Sequence, residues 1–203
     1  MKDLMYIDET ARGIEVVPLH SRLLTERRIF ITEEITSQSA VDFAQAMMYL
    51  SCENKPVDIY INSPGGEINA GLAIYDILQS FRNEVNMYCI GQASSMAAVL
   101  LASGQKGRRF ILPHSRVMIH EALLRGGVSG SATSISRISD SILETRDMVN
   151  GILAMHTGKT LSEINSATSF DNMMNAEEAV SFGICDKIVG SIFEGAMSNE
   201  KEL

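Results

Sequence analysis

The stretch from Val57 to Gly91 constrains this chain most. "VDIYIN" and "VNMYCIG" are short, apolar segments rich in β-branched and aromatic residues, each closed by turn residues; such runs suit strands buried within a sheet. Between them, "EINAGLAIYDILQSFRN" places Ile68, Leu72, Ile74, Tyr75, Ile77 and Leu78 near the helical period, which makes one side of a helix apolar. Strand, Gly-rich turn, helix and strand form a βαβ unit with neighbouring parallel strands and a right-handed crossover. The expected class is therefore α/β, with any cleft at the C-terminal ends of the strands.

The same alternation extends to both sides. Upstream, "SQSAVDFAQAMMYLSCEN" predicts a helix capped at Ser37 or Ser39, with Val41, Phe43, Ala44, Met47, Met48 and Leu50 as its apolar face. Downstream, a short helix from Met96 to Ser103 stops at Gly104, and "RRFILPHSRVMIH" reads as two strands broken at Pro113 and His114. Residues 135–156 carry Ile135, Ile138, Ile142, Met148, Val149, Ile152 and Leu153 on one face and predict a long amphipathic helix in want of a partner. Two helices follow, "LSEINSATS" and "NAEEAVSFG", the second with Asn175 as cap and Gly183 as stop. At 203 residues and 45% hydrophobic content the chain suits one core, and it contains no repeat or Pro-rich linker that would divide it.

Charge and cysteine usage narrow the function. A net charge of -8 offers no basic field for nucleic acid or anionic membrane. Cys52, Cys89 and Cys185 are odd in number and lack CxxC spacing, which predicts reduced thiols rather than a disulfide frame or zinc site. The N-terminal "MKDLMYIDETARG" lacks a basic-then-apolar signal pattern, and the longest apolar run, 96–102, is far too short for a bilayer. A soluble cytoplasmic protein is expected, with no metal or cofactor.

Four places carry candidate chemistry. In "INSPGGEI" a strand ends and Gly65 and Gly66 open a helix; glycines there let backbone N–H groups face a cleft. In "GQASSMAAVL" two adjacent serines sit at a second strand-to-helix junction, where a hydroxyl meets the helix N-terminus and the next N–H is unpaired. His120 ends the strand "RVMIH", and Asp171 lies in "SFDNMMNAEE". Taken singly, each is an ordinary α/β feature: a turn needing Gly, a serine cap, a structural histidine, an aspartate in a turn. Together, Gly66 and Met96 N–H groups suit an oxyanion hole beside a serine nucleophile with a histidine base.

In order, SPGG, serine before Met and small residues, Met-Ile-His, and Phe-Asp-Asn ahead of an Ala-Glu-Glu-Ala-Val helix resemble the proteolytic subunits of the Clp protease, the ClpP family, from about His20 to Val189. The resemblance implies a crotonase-like spiral of βαβ units with a protruding strand-helix handle, at about residues 123–158. Residues 1–19 then match a flexible pore-loop segment, 20–192 a single peptidase domain and 193–203 a disordered tail. It also implies Ser95 as nucleophile, His120 as base, Asp171 as orienting acid, and Gly66 and Met96 as oxyanion donors. An extended substrate is expected along Gly65 and the glycine-rich stretch at Gly126, Gly127 and Gly130. Implied partners are copies of the chain in two stacked seven-subunit rings, a paralogue in mixed rings, an unfoldase ATPase and polypeptide substrates.

The sequence departs from that family pattern at named positions. Asp58 and Ser80 stand where aromatics usually line the ATPase docking pocket, although Tyr60 and Tyr88 retain part of it. Ser169 and Phe170 replace an acid and an arginine that pair between rings, Ala122 replaces a proline, and Ala97 a glycine. The expected function is an ATP-independent serine endopeptidase acting on unfolded polypeptides and short peptides; the alternative is a divergent paralogue serving as a structural or regulatory subunit of a mixed ring. An acyl-CoA enzyme of crotonase type is disfavoured by the lack of a basic cluster for the CoA phosphates.

Overall fold

The computed structural model describes residues 4–10, 13–123 and 129–193. An antiparallel hairpin, β1 (Met5–Thr10) and β2 (Gly13–Pro18), occupies the segment read from sequence as flexible. Helix α1 (Leu19–Thr25) leads into β3 (Arg28–Ile31), α2 (Ser37–Leu50), β4 (Val57–Ser63), α3 (Ile68–Ser80), β5 (Val85–Ser94) and α4 (Met96–Ala102). Then come β6 (Arg109–Ile111), β7 (Arg116–Ile119), α5 (Ala132–Thr157), α6 (Leu161–Thr168), β8 (Asn172–Met174), α7 (Ala176–Phe182) and β9 (Lys187–Ile188). Strands β3-β4-β5-β6-β9 run parallel in that order; β7 lies parallel to the end of β5, and β8 is antiparallel to β7. The mixed α/β class and the neighbouring β4 and β5 agree with the sequence.

Strand alternation splits the sheet into two faces. Ile29, Ile59 and Met87 lie in register, as do Ile61, Cys89 and Ile111, all in the core. On the other face Phe30, Tyr60, Tyr88 and Phe110 stack across four strands with ring centroids 4.9, 5.2 and 5.0 Å apart. One step back, Asn86 Nδ2 donates to Asp58 Oδ1 at 2.8 Å, and Arg108 Nη1 donates to Asn86 Oδ1 at 2.8 Å. Asp58 is thus tied into a polar row beside an aromatic one.

Two helix starts differ from the expected ones. Thr36, not Ser37 or Ser39, caps α2: its hydroxyl accepts the Ser39 amide while Ser39 Oγ accepts the Thr36 amide. Threonine caps as serine does, and the reciprocal pair satisfies two end amides at once. Helix α5 begins at Ala132 rather than at Ile135, where Ser131 Oγ caps it by accepting the Ser134 amide; the added first turn is polar and carries no periodic apolar signal. Its buried residues are Val149, Asn150, Ile152 and Leu153, whereas Ile135 and Leu143 upstream are exposed. His156, near the C-terminal end of α5, is half-buried with Nε2 3.2 Å from the Tyr75 hydroxyl. Burial, reinforced by the nearby Arg109 charge, lowers its pKa and favours the neutral ring.

One buried cation ties the helix ends together. Arg109, 3% exposed, donates through Nη1 to the carbonyls of Ala102, His156 and Gly183, at the C-terminal ends of α4, α5 and α7. Its Nε and Nη2 bind the two carboxylate oxygens of Asp186. The planar guanidinium fork serves this convergence of carbonyls in a way a lysine would not.

Candidate active site

A bulge in β5 sets the site. Pairing with β4 runs Ile61 to Cys89 and then Ser63 to Ala93, so β5 spends two residues more than its neighbour. Asn62 Oδ1 spans the gap, accepting the Gln92 amide at 3.2 Å. A bulge bends a strand and re-aims its end: before it β5 pairs with β6, and after it with β7. Ser115 Oγ seals the fork, accepting the Gly91 amide at 2.7 Å and donating to the Cys89 carbonyl at 3.0 Å.

Past the bulge the chain turns sharply. Ser95 has φ 54° and ψ -125°, a strained conformation for a residue with a side chain. Its amide donates to the Met118 carbonyl of β7 at 2.8 Å. Ser94 ends β5 and is buried; Ser95 borders a cavity of about 170 Å³ with Met96, Gly66 and His120. The two adjacent serines are thereby separated by the turn, and only Ser95 of the pair borders the cavity.

The Gly65-Gly66 turn approaches from β4. Gly65 has φ +91°, and a Cβ there would lie 2.6 Å from the Ser94 carbonyl oxygen, 2.7 Å from Ser95 Cβ and 3.0 Å from Met96 N. A Cβ on Gly66 would lie 2.1 Å from the Ile35 carbonyl oxygen. Ile35 donates to Gly65 O and accepts from Glu67 N, both at 2.8 Å. The Gly66 and Met96 amides have no backbone acceptor among the described residues, so two N–H donors are available at the cavity wall. Met96 is fixed from behind, where its Cγ occupies the space a Cβ on Gly71 of α3 would fill.

His120 follows β7 two residues after Met118, and its Nδ1 is buried with no partner among the described residues. The β7 and β8 register pairs Ile119 with Asn172, which puts Asp171 one step along, opposite His120. Asp171 is nevertheless exposed and not bonded to Nδ1. The fold thus gathers Ser95, His120, Gly66 and Met96 around one cavity, sets Gly65 behind Ser95, and leaves Asp171 adjacent but disengaged. Gly126 and Gly127 lie outside the described residues; Gly130, at φ +155°, borders neither this cavity nor a larger one of about 550 Å³ that shares Gly66, Ile68, Ala122 and Leu123 with it and runs along α5. Sequence reasoning missed Ile35, Ser115 and Glu121, whose parts depend on contacts between distant segments.

Other nucleophiles are poorly placed. Burial pushes the Cys89 thiol up to about 12 and the Cys185 thiol higher still, so both stay protonated; Cys52 is exposed, just beyond α2. Among the described residues no cluster of three His, Cys, Asp or Glu side chains is placed to hold a metal, and no helix is long and apolar enough to cross a membrane.

A serine at a strained strand-to-helix turn, a histidine just past the adjacent strand and two amides with no backbone acceptor among the described residues suit acyl transfer. The family model described as Clp protease matches residues 11–191. The chain belongs to the Clp protease family. The match spans every element from β2 to β9 and so contains the whole cavity. As a Clp protease the chain is a peptidase, and its family generally forms self-assembled rings served by ATPase partners.

Proposed function

We propose that this chain is a serine endopeptidase subunit in which Ser95 attacks the peptide carbonyl and His120 takes its proton. The developing oxyanion is held by the Gly66 and Met96 amides; the acyl-enzyme forms as His120 protonates the leaving amine, and water then releases the product. Asp171 serves as the orienting acid. Its register opposite His120 supports this role, since catalytic hydrogen bonds are often loose in a free enzyme and tighten with substrate. The observation that carries the function is the single cavity shared by Ser95, His120, Gly66 and Met96. The substrate runs as an extended strand past Gly65 toward the segment holding Gly126, Gly127 and Gly130. No metal or cofactor enters the mechanism.

The exposed N-terminal part of α5 supports a handle at about 123–158 on a crotonase-like spiral, within a domain of residues 20–192. Residues 1–19 supply pore loops and 193–203 a tail. Copies assemble as seven-subunit rings in the cytoplasm, alone or with a paralogue, and a Clp ATPase delivers folded substrates. The disengaged Asp171 favours one alternative: a subunit with little activity alone, completed in a mixed ring. Sedimentation velocity with a fluorogenic peptide assay on each species separates the two. A double ring that cleaves establishes a self-sufficient peptidase; a smaller, inactive species establishes the dependent subunit.

A further inference from the structure

The cavity of about 170 Å³ beside Ser95 adjoins the larger one of about 550 Å³ along shared walls at Gly66, Ile68, Ala122 and Leu123. One stripe of α5 serves both. Ile138, Ile142 and Thr145 line the larger cavity, and Val149 and Leu153 line the smaller. These five positions follow one another at spacings of four, three, four and four residues, which keeps them on one side of the helix. The core covers only the second half of the stripe: Val149 and Leu153 are buried, whereas Ile138 and Ile142 are half-buried and Leu123, in the same larger cavity, is 66% exposed. The amphipathic pattern that asks for a partner is therefore answered by the protein itself only near Ser95.

We infer that the larger cavity is a second side-chain pocket for the polypeptide substrate, with Ile138 and Ile142 as specificity-determining residues, and that it selects a bulky apolar side chain two or four positions from the scissile bond. The inference rests on Ser95 being the nucleophile. From Ile138 to Leu153 the stripe is about 22 Å long at 1.5 Å per helical residue, the span of about seven extended residues. Alternate side chains of an extended chain point to the same side, so a substrate with one side chain in the cavity at Ser95 presents the second or fourth residue along to the pocket next to it. There the isoleucines reward apolar area removed from water. An acidic side chain is disfavoured, because it loses its hydration against Ile138 and Ile142 and meets the Glu67 carboxylate at the rim, where Ser37 Oγ donates to Glu67 Oε2 at 2.8 Å.

The experiment measures kcat/KM on the assembled protein for a set of quenched fluorogenic peptides. All share one residue at the scissile bond and carry Phe, Trp, Ser or Asp two or four positions away on either side. At one of these positions Phe is favoured over Ser by roughly 10-fold, the gain from burying much of an aromatic side chain, and Asp falls below Ser. Ile142→Trp, which fills the pocket, brings the Phe-to-Ser ratio near 1; Ile142→Ala, which deepens it, moves the preference from Phe toward Trp. Each ratio is taken within one variant, so a general loss of activity cancels. Leu143→Ala, on α5 but outside both cavities, keeps the wild-type ratio. Equal rates for Phe and Ser at every position, or a Phe preference unchanged in both Ile142 variants, overturn the inference. Unchanged ratios with an altered sedimentation coefficient in those variants also overturn it and assign the cavity to a contact between copies of the chain. Ser95→Ala separates the two readings: cleavage that survives it overturns the Ser95 assignment, whereas cleavage that needs Ser95 but ignores Ile142 removes only the second pocket.

Discussion

Ser95 donates its backbone amide to the Met118 carbonyl at 2.8 Å, and His120 stands two residues beyond that carbonyl. Nucleophile and base candidates are thereby fixed in one backbone frame, the β5 and β7 pair, rather than carried on independent loops. Catalytic precision favours such rigid support, because small displacements of reacting groups are costly. The same frame separates the two serines.

Ser95→Ala is expected to abolish both peptide hydrolysis and labelling by a serine-reactive probe, while Ser94→Ala keeps both. Ser94 lies buried at the end of β5 and does not border the cavity. Mass spectrometry of the labelled peptide distinguishes the adjacent residues, and a label on Ser94 would reverse the assignment.

Gly65→Ala tests the close approach of the turn. The new methyl meets the Ser94 carbonyl and Ser95 Cβ at positive φ, so stability falls by about 1–3 kcal/mol. The shifted nucleophile reacts roughly 10- to 100-fold more slowly. Urea unfolding and labelling rates report the two effects separately; wild-type values in both would show that the turn does not support Ser95.

The face bearing the aromatic row supplies a third prediction. Asp58 is spent in a polar row with Asn86 and Arg108, and Ser80 is exposed, its hydroxyl donating to the Ile77 carbonyl. In the ATPase docking pocket that the family resemblance implies, replacing them by Tyr and Phe is expected to gain about 1–3 kcal/mol per site. Asp58→Tyr with Ser80→Phe should therefore strengthen stimulation by a Clp ATPase at limiting ATPase concentration. Unchanged binding by surface plasmon resonance would place docking elsewhere.

Arg109 and Asp186 make stability pH-dependent. Burial pushes the Asp186 carboxyl up, but hydrogen bonds from Arg109 and Gly107 and the Arg109 charge outweigh it, leaving the pKa below its ordinary value. A carboxyl with a lower pKa folded than unfolded stabilises the protein above its unfolded pKa of about 4. That contribution is lost as pH falls through the folded value. Asp186→Asn is thus less stable than wild type at neutral pH, and the difference narrows in acid; a constant gap in urea midpoints from about pH 3 to pH 7 contradicts the pairing. Arg109→Met removes the guanidinium from three carbonyls and from Asp186, which keeps only the Gly107 and residue-109 amides, and costs about 3–5 kcal/mol.

The α/β class, the β4-α3-β5 unit, the α7 cap at Asn175 and the family motifs were legible in the amino-acid order, because strands, helices and turns signal through periodicity and turn chemistry over a few residues. The Thr36 cap and the first turn of α5 were not, since neighbouring hydroxyl residues compete as caps and a polar turn has no apolar period. Distant contacts were equally silent. Nothing local marks Ile35 as the partner of Gly65 and Glu67, Ser115 as the seal of the β5 fork, Arg109 as the clasp of three helix ends, or Arg146 as the partner of Glu121. The sequence by itself determined which residues have the right chemistry and which turns they occupy. Only the tertiary structure decided that Ser95 rather than Ser94 borders the cavity and that Asp171 lies beside His120 without bonding to it, because a bulge and a strand register convert sequence neighbours into opposite sides of a turn and bring residues dozens of positions apart to one wall.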